Sequence, residues 1–364
     1  MKLLVLPRYD RSGASSRQRL LQFVPDLARL GWEITVRPLH RPTYLEALYA
    51  GRRRSSLAIA ADYARRLRLL RDEAGRHDLI WVERELLPWL PWGLERRWVP
   101  RRPLVVDYDD AVFHRYDRHN LALVRRLLGD KIDRVMRQAA LVVAGNDYLA
   151  ERARQIGAGH VAVVPTVIDP ALYPAADTAG PGAPAARPFV IGWIGTPATV
   201  GYLRMVGPAL AALAAESPVR LVTIGASIDL PGVPREARPW SESTEAAELA
   251  RCHVGIMPLP DGPWERGKCG YKLVQYMASG LPVVASAVGA NRTIVDPGIT
   301  GCFAEGEERW LMALRILRDD PDLRLRLGAA GRARALARYS RPAVLPRLAE
   351  LLAAAASSRS ASAS

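Results

Sequence analysis

The chain is poor in cysteine, in lysine and in long apolar runs, and each shortage excludes something. Its three cysteines, Cys252, Cys269 and Cys302, are odd in number and lack metal-ligand spacing. That excludes a disulfide framework and suits a reducing compartment. No apolar run approaches the ~18 residues that a membrane span needs. The opening Met-Lys-Leu-Leu-Val-Leu-Pro is too short for a signal peptide and reads as a first strand, so cytoplasmic residence is expected. No G-x-G-x-x-G follows that strand, which leaves a dinucleotide fingerprint unsupported. No tandem repeat at a solenoid period is visible. Acidic residues are outnumbered, giving a net charge of +14 and a pI near 10.2. The excess is uneven: 30 basic against 20 acidic residues over positions 1–175, and 21 against 17 in the remainder. Such charge points to anionic partners, namely nucleic acid, a membrane surface or anionic ligands. Nucleic acid is disfavoured, because aromatic and basic residues do not interleave on a recognisable module.

A length of 364 residues, about half of them hydrophobic, exceeds one ordinary core and suits two domains. Lys2–Leu6 is an apolar strand followed by a polar loop, 7–16. Helical periodicity runs from Arg17 to Leu30, and Ile34–Val36 is the next strand. Strand, loop, helix and strand make one parallel α/β unit, with the loop at the carboxyl edge where ligands bind. Arg17 and Arg19 also fit a capped helix start with arginines outward. Residues 43–74 read as helices beyond the sheet, with a solvated arginine turn at 52–54. After a strand at Leu79–Val82, Trp89, Trp92 and Trp98 lie among Arg84, Arg96, Arg97, Arg101 and Arg102. Indoles beside arginines suit either a helix packed on the sheet or a face resting on an anionic membrane leaflet near a lipid-linked acceptor. The strand Leu104–Val106 ends in Asp107-Tyr-Asp-Asp-Ala-Val-Phe-His114. Three carboxylates and a histidine at a strand's carboxyl end form a candidate site. Helix capping by one aspartate, and a structurally satisfied His114, are the bland alternatives.

Ala175–Pro188 is low-complexity Ala, Pro and Gly, a linker. Beyond it Phe189–Ile194 is a strand running into Gly195-Thr-Pro-Ala-Thr199 and a helix through Leu210. Thr196, Thr199 and backbone N–H groups there suit a phosphate at a helix start. The densest run is Trp264–Gly289. Half of the chain's four lysines, Lys268 and Lys272 of Lys2, Lys131, Lys268 and Lys272, lie in it four residues apart. Spacing of i and i+4 puts both on one face of a helix first turn, where two compact ammonium groups suit a diphosphate. Gly267 and Gly270 permit close backbone approach. Cys269 reads as a packing residue or a thiol activated by its cationic neighbours. Residues 356–364 read as a disordered tail.

The run Gln275-Tyr-Met-Ala-Ser-Gly-Leu-Pro-Val-Val resembles the donor-binding segment of family-four retaining glycosyltransferases. A subgroup with Lys-x-x-x-Lys and Gln-Tyr-Met-Ala looks closer still, and "Asp-x-Asp-Asp-Ala", "Gly-Asn-x-Tyr-Leu" and "Val-Pro-Thr-x-Ile-Asp" look like the same subgroup. The resemblance implies a GT-B fold: two Rossmann-like α/β domains with parallel sheets facing an interdomain cleft. The expected acceptor-side domain is 1–175, the linker 176–188, the nucleotide-sugar domain 189–340, and the helix crossing back 341–355. Carried over by the resemblance are Gly13, Ser15, Ser16 and Arg17 near the donor phosphates, Lys272 on the diphosphate, and Trp240 beside the base. A core role for Trp240 stays open. Gly195, Thr196, Thr199 and Lys268 complete the donor set. Gln275 stands where the family has a ribose-binding Glu, and Gly267 where it has a sugar-binding Glu. These two are departures. Asp109 and Asp110, with His114 beside them, are expected to hold acceptor hydroxyls or act as base. The implied reaction transfers a sugar from a nucleotide sugar, with retention and without metal or other cofactor, to a glycan, lipid-linked or small-molecule acceptor. Cell-surface polysaccharide or glycoconjugate synthesis is the expected setting. A nucleotide-sugar epimerase and a catalytically silent binding protein are the alternatives.

Overall fold

A computed structural model of the chain describes residues 1–52, 55–99, 101–174 and 188–358. Residues 175–187 of the expected linker, Arg53 and Arg54 of the arginine turn, and 359–364 of the expected tail lie outside them. The chain divides into two compact units. The first contains Met1–Thr166, Gly267–Cys269 and the chain from Val344; the second contains Val167–Arg266 and Gly270–Ala343.

In the first unit β1 (Lys2–Leu6), β2 (Glu33–Val36), β3 (Leu79–Glu83), β4 (Leu104–Tyr108), β5 (Leu141–Ala144) and β6 (Val161–Val163) form a parallel sheet ordered β2-β1-β3-β4-β5-β6. β3 and β4 are buried at every residue, while the edge strand β2 has no buried residue. Central parallel strands covered on both faces need this continuous apolar character. Register places Leu3 opposite Leu79 and Val82 opposite Val106. The helix expected over 17–30 is broken into Ala14–Arg19, a 3₁₀ turn at Leu21–Phe23, and Val24–Arg29. Pro25, which has no N–H to continue a ladder, restarts it at a first turn.

The second unit builds β7 (Phe189–Ile194), β8 (Val219–Ile224), β9 (Arg235–Arg238), β10 (Val254–Met257), β11 (Val283–Ala285) and β12 (Gly301–Phe303) into a parallel sheet ordered β12-β11-β10-β7-β8-β9. Apolar clusters occupy both faces, one centred on Leu273, Tyr276 and Met277, the other on Trp193, Leu210 and Trp310. The helix expected from Thr199 through Leu210 is a 3₁₀ segment, Val200–Met205, followed by an α-helix at Gly207–Glu216. The final helix, Arg341–Ser357, runs two residues beyond the expected limit and into the stretch read as tail. Apolar residues 344, 348 and 352 on one buried face carry it there.

One lysine is buried outright. Lys131, wholly inaccessible, lies 2.7 Å from both Glu85 and Glu95 and donates to the Leu87 carbonyl at 2.6 Å. Burial pushes the Glu95 carboxyl up to about 7, against the pull of Lys131 and with the help of the Glu85 charge. Since that value exceeds the unfolded one, the contribution of Glu95 is complete below about pH 4.5 and is lost as pH rises through 7. Lys131→Met strands two buried carboxylates. Stability should fall by about 3–5 kcal/mol above neutrality, and by less below pH 5, where protonation relieves the pair. Urea titrations at both pH values check this; a loss independent of pH would refute it.

Candidate functional site

Both sheet orders contain a point where successive connections depart in opposite directions, between β1 and β3 and between β7 and β10. In open parallel sheets ligands bind beyond the carboxyl ends of the strands at such points. The polar side chains of each unit gather there.

In the second unit the chain leaves β7 at Gly195 and turns at Thr196–Thr199, where the Thr199 hydroxyl donates to the Thr196 carbonyl at 3.2 Å. The helix Tyr271–Ala278 brings Lys272 to this turn. Its Nζ lies 3.2 Å from Thr199 Oγ1 and 4.3 Å from the centre of the Trp193 ring. At Gly195 an added Cβ would stand 2.6 Å from the buried Trp193 ring and 2.7 Å from the ammonium, so glycine gives both groups their room. An ammonium over an indole face gains cation–π attraction, which fixes its charge beside the turn.

Trp240, 38% exposed, follows β9, and its Nε1 donates to Glu245 Oε2 at 2.6 Å. Glu245 Oε1 also accepts from the Gln275 amide at 2.9 Å and the Tyr173 hydroxyl at 2.5 Å. Trp240 is therefore a half-open ring fixed at one edge, not a core residue. Gln275 is 4% exposed and bound to a carboxylate of its own unit. Reading by type and spacing passed over Glu245. Its only signal is an acid in the first turn of a short helix soon after Trp240.

In the first unit Asp107, Asp109 and Asp110 do not cap a helix. The next helix, His114–Asp117, starts without a side-chain cap, and each aspartate faces a cation instead. Asp107 pairs with Arg19 at 2.7 Å, deep in the unit. Burial pushes its carboxyl up to about 6 against that partner. Arg19, read as a candidate surface arginine, is 3% exposed and also donates to the Val164 carbonyl at 2.8 Å. Asp109 accepts from Arg84 at 2.7 Å and from Ser15 at 2.5 Å. Asp110 stands 3.4 Å from Arg84 and 3.8 Å from Lys268. Burial raises both carboxyls, but the Arg84 guanidinium and the Ser15 hydroxyl hold Asp109 below the usual carboxylate range. At Asp110 burial and the Asp109 charge prevail over Lys268 and Arg84, and its carboxyl is raised. Two neighbouring acids pushed apart make Asp110 the better proton acceptor, and its side chain is also the more exposed, 27% against 15%. Arg84, the hub of this cluster, had no role in the sequence reading beyond a basic face; it is 8% exposed and adopts φ 67°.

Several expected site residues are placed otherwise. The helix begins at Tyr271 after Gly270 at φ 64°, so Lys268 lies outside it and shares no helix face with Lys272. Lys268 belongs to the first unit, with its ammonium beside Asp110. The Ser16 hydroxyl is inaccessible, donating to Glu83 and accepting from the Tyr9 N–H. Arg17 is 6% exposed and donates to the Arg11 carbonyl. Gly13 packs on Tyr9, whose Cβ would be 2.5 Å from an added Cβ. His114 has both ring nitrogens engaged, Nδ1 with Asp117 at 2.9 Å and Nε2 with Tyr148 at 2.8 Å, which is the structurally satisfied state. Cys269 donates to the Asp109 carbonyl at 3.0 Å; burial pushes its thiol up, so it is a packing residue. At Gly267 an added Cβ would lie 2.4 Å from that of Ala111, so the departure from Glu is built into the packing.

Two six-stranded parallel sheets, each flanked by helices and carrying its polar residues beyond the strand ends, define a GT-B architecture. Residues 189–320 match the model of the family described as glycosyl transferases group 1. The D-inositol 3-phosphate glycosyltransferase of Thermobispora bispora is 29% identical over 323 residues, covering 77% of this chain and 71% of that protein. Among solved structures, HepE of Anabaena, in complex with UDP and glucose, superposes with a TM-score of 0.72 at 17% identity, covering 97% of this chain and all of that one. The sucrose-phosphate synthase of Thermosynechococcus elongatus gives 0.70 at 17%, covering 96% and 98%. Together the matches liken this chain to glycosyltransferases of group 1.

Glu245→Ala removes the acceptor from two buried donors, Tyr173 and Gln275, and from Trp240. It should cost roughly 2–4 kcal/mol, and Glu245→Gln, which keeps an acceptor oxygen, clearly less. Guanidinium titrations of both variants check the ranking, which equal losses would contradict.

Proposed function

We propose that the protein transfers a sugar from a nucleotide-sugar donor to a hydroxyl acceptor, with retention and without a metal. The observation that carries the reading is the Lys272 ammonium, held over Trp193 beside Gly195 and Thr199 at the carboxyl end of β7. A leaving diphosphate gains negative charge as the glycosidic bond breaks, and a fixed ammonium binds that charge more strongly in the transition state than before it. The exposed Thr196 hydroxyl supplies a further donor, and the half-open Trp240 ring offers a face for the base. With its amide bound to Glu245, Gln275 acts on the ribose through that shared network rather than as a separate ligand. UDP is a suitable nucleotide, since HepE binds UDP and UDP-glucose.

On the acceptor side Asp110 is the proposed proton acceptor and Asp109 its partner, fixed by Arg84 and Ser15. The same cations make this pair a poor metal site, because a divalent ion would have to displace a guanidinium.

Acceptors anchored in lipid would bring the enzyme to a membrane surface from the cytoplasm, in the synthesis of a cell-surface glycan. No helix of the described residues is long and apolar enough to cross a membrane. A peripheral face is available: Trp98 and Leu94 are 37% and 47% exposed among the exposed Arg96, Arg97, Arg101 and Arg102. Arg84 is not part of it, being bound to Asp109.

Screening nucleotide sugars by thermal stabilisation identifies the donor. With that donor and its acceptor, Lys272→Ala should lower kcat by on the order of 10²–10³ with the fold intact by circular dichroism. Near-normal turnover would remove the proposed reaction. In sedimentation at low salt the protein should pellet with anionic vesicles, and progressively less as salt rises. Equal pelleting with neutral vesicles would rule out the membrane face.

A further inference from the structure

Within the first unit a cavity of ≈ 410 Å³ opens beside β1, lined among others by Arg8, His40, Tyr44, Arg52, Tyr63 and Trp89. Arg8 is its unusual member. The residue is 9% exposed, and its Nε and Nη1 are buried without any hydrogen-bond partner. Among the described residues no carboxylate lies within ion-pair distance of this guanidinium. Glu85 holds Lys131 and Tyr116; Oε2 of Glu83 takes the Arg8 backbone N–H and the Ser16 hydroxyl, while its Oε1 is buried without a hydrogen-bond partner and does not reach the guanidinium. Arg84 and Arg115 add positive charge around it, while Tyr9 and Glu85 favour its charged form, so the guanidinium stays charged although its Nε and Nη1 have no acceptor. Two buried N–H donors thus lack acceptors, which an anionic ligand would supply.

The remaining walls are rings. His40 stacks on Tyr44 at 3.9 Å, and its Nδ1 faces Asp62 at 3.2 Å. Burial keeps the imidazole neutral, lowering it to about 4, so it adds ring surface and not charge. The Tyr63 hydroxyl donates to the Pro88 carbonyl. Trp89 adopts φ 62° with its ring edge-on to Tyr116, and is 46% exposed. A bulky residue forced into the left-handed region at a cavity wall is a feature of ligand sites. Flat ring faces pack against the C–H face of a sugar or cyclic polyol, and a buried guanidinium takes a phosphate or carboxylate in two-point fashion.

We infer that this cavity binds a sugar or polyol bearing a phosphate or carboxylate, with the anion on Arg8 and the ring against Trp89. Naming that molecule the acceptor, or its anionic end, rests on the transfer reading above; the binding itself does not.

The test uses the full chain without nucleotide sugar. Glucose 6-phosphate, glucuronate, glucose and inorganic phosphate are titrated at equal ionic strength, by calorimetry and thermal shift. At least one charged sugar should bind about tenfold or more tightly than glucose, and more tightly than inorganic phosphate. Arg8→Met should abolish the difference between charged and neutral sugar while the fold stays intact by circular dichroism. Trp89→Ala should weaken the charged sugars and leave inorganic phosphate unchanged. Equal binding of glucose and both charged sugars, retention of the charged preference in Arg8→Met, or binding of neither charged sugar at millimolar concentrations would each overturn the assignment. Lys272→Ala should leave these titrations unaltered, so loss of sugar transfer and loss of this site read out separately.

Discussion

Charge buried at the carboxyl ends of parallel strands is the constraint on which this protein turns. A parallel sheet covered on both faces has an apolar interior, and any ion near it must meet a counter-ion or a dipole. Asp107 meets Arg19, Asp109 meets Arg84, and Glu85 meets Lys131. These pairs fix the loops after β1, β3 and β4 and leave their side chains little freedom. A site on such loops is preorganised because its charges are already held in place.

The two units solve the problem differently. In the first, several guanidinium groups surround a few carboxylates, and two adjacent acids are driven towards opposite protonation behaviour. In the second, a single ammonium rests on an indole face beside a glycine-opened turn, and a single carboxylate collects three donors. Proton exchange suits the first arrangement and anion binding the second. The proposed transfer calls for both capacities, one for an acceptor hydroxyl and one for a departing diphosphate.

The rarity of lysine now has a physical content. Of four lysines, Lys131 fits a pocket closed by two carboxylates and a carbonyl, Lys268 stands against Asp110, and Lys272 sits over Trp193. A compact ammonium fits where a planar guanidinium would be too wide. Lys131 escaped attention in the sequence because its helix carries no motif. Lys268 and Lys272 were found by their spacing, but the inferred shared face failed at one dihedral, since Gly270 in the left-handed region starts the helix after Lys268.

Sequence by itself determined the α/β class, the parallel strands and the neighbourhood of each site, because buried strands are apolar runs and site loops are the polar breaks between them. It marked Asp109, Asp110 and the Gly195–Thr199 turn through residue type at a strand's end, and Lys272 through the rarity and spacing of lysine. Tertiary structure alone decided which polar side chains face inward. Ser16 and His114 read like ligands but satisfy partners of their own, and Arg19 reads like a surface arginine but is buried on Asp107, while Arg8, Arg84 and Glu245 read like background and prove to be hubs or orphans. The reason is that a hydrogen-bond partner dozens of residues away leaves no mark in local periodicity; only folding brings Ser15 to Asp109 or Tyr173 to Glu245.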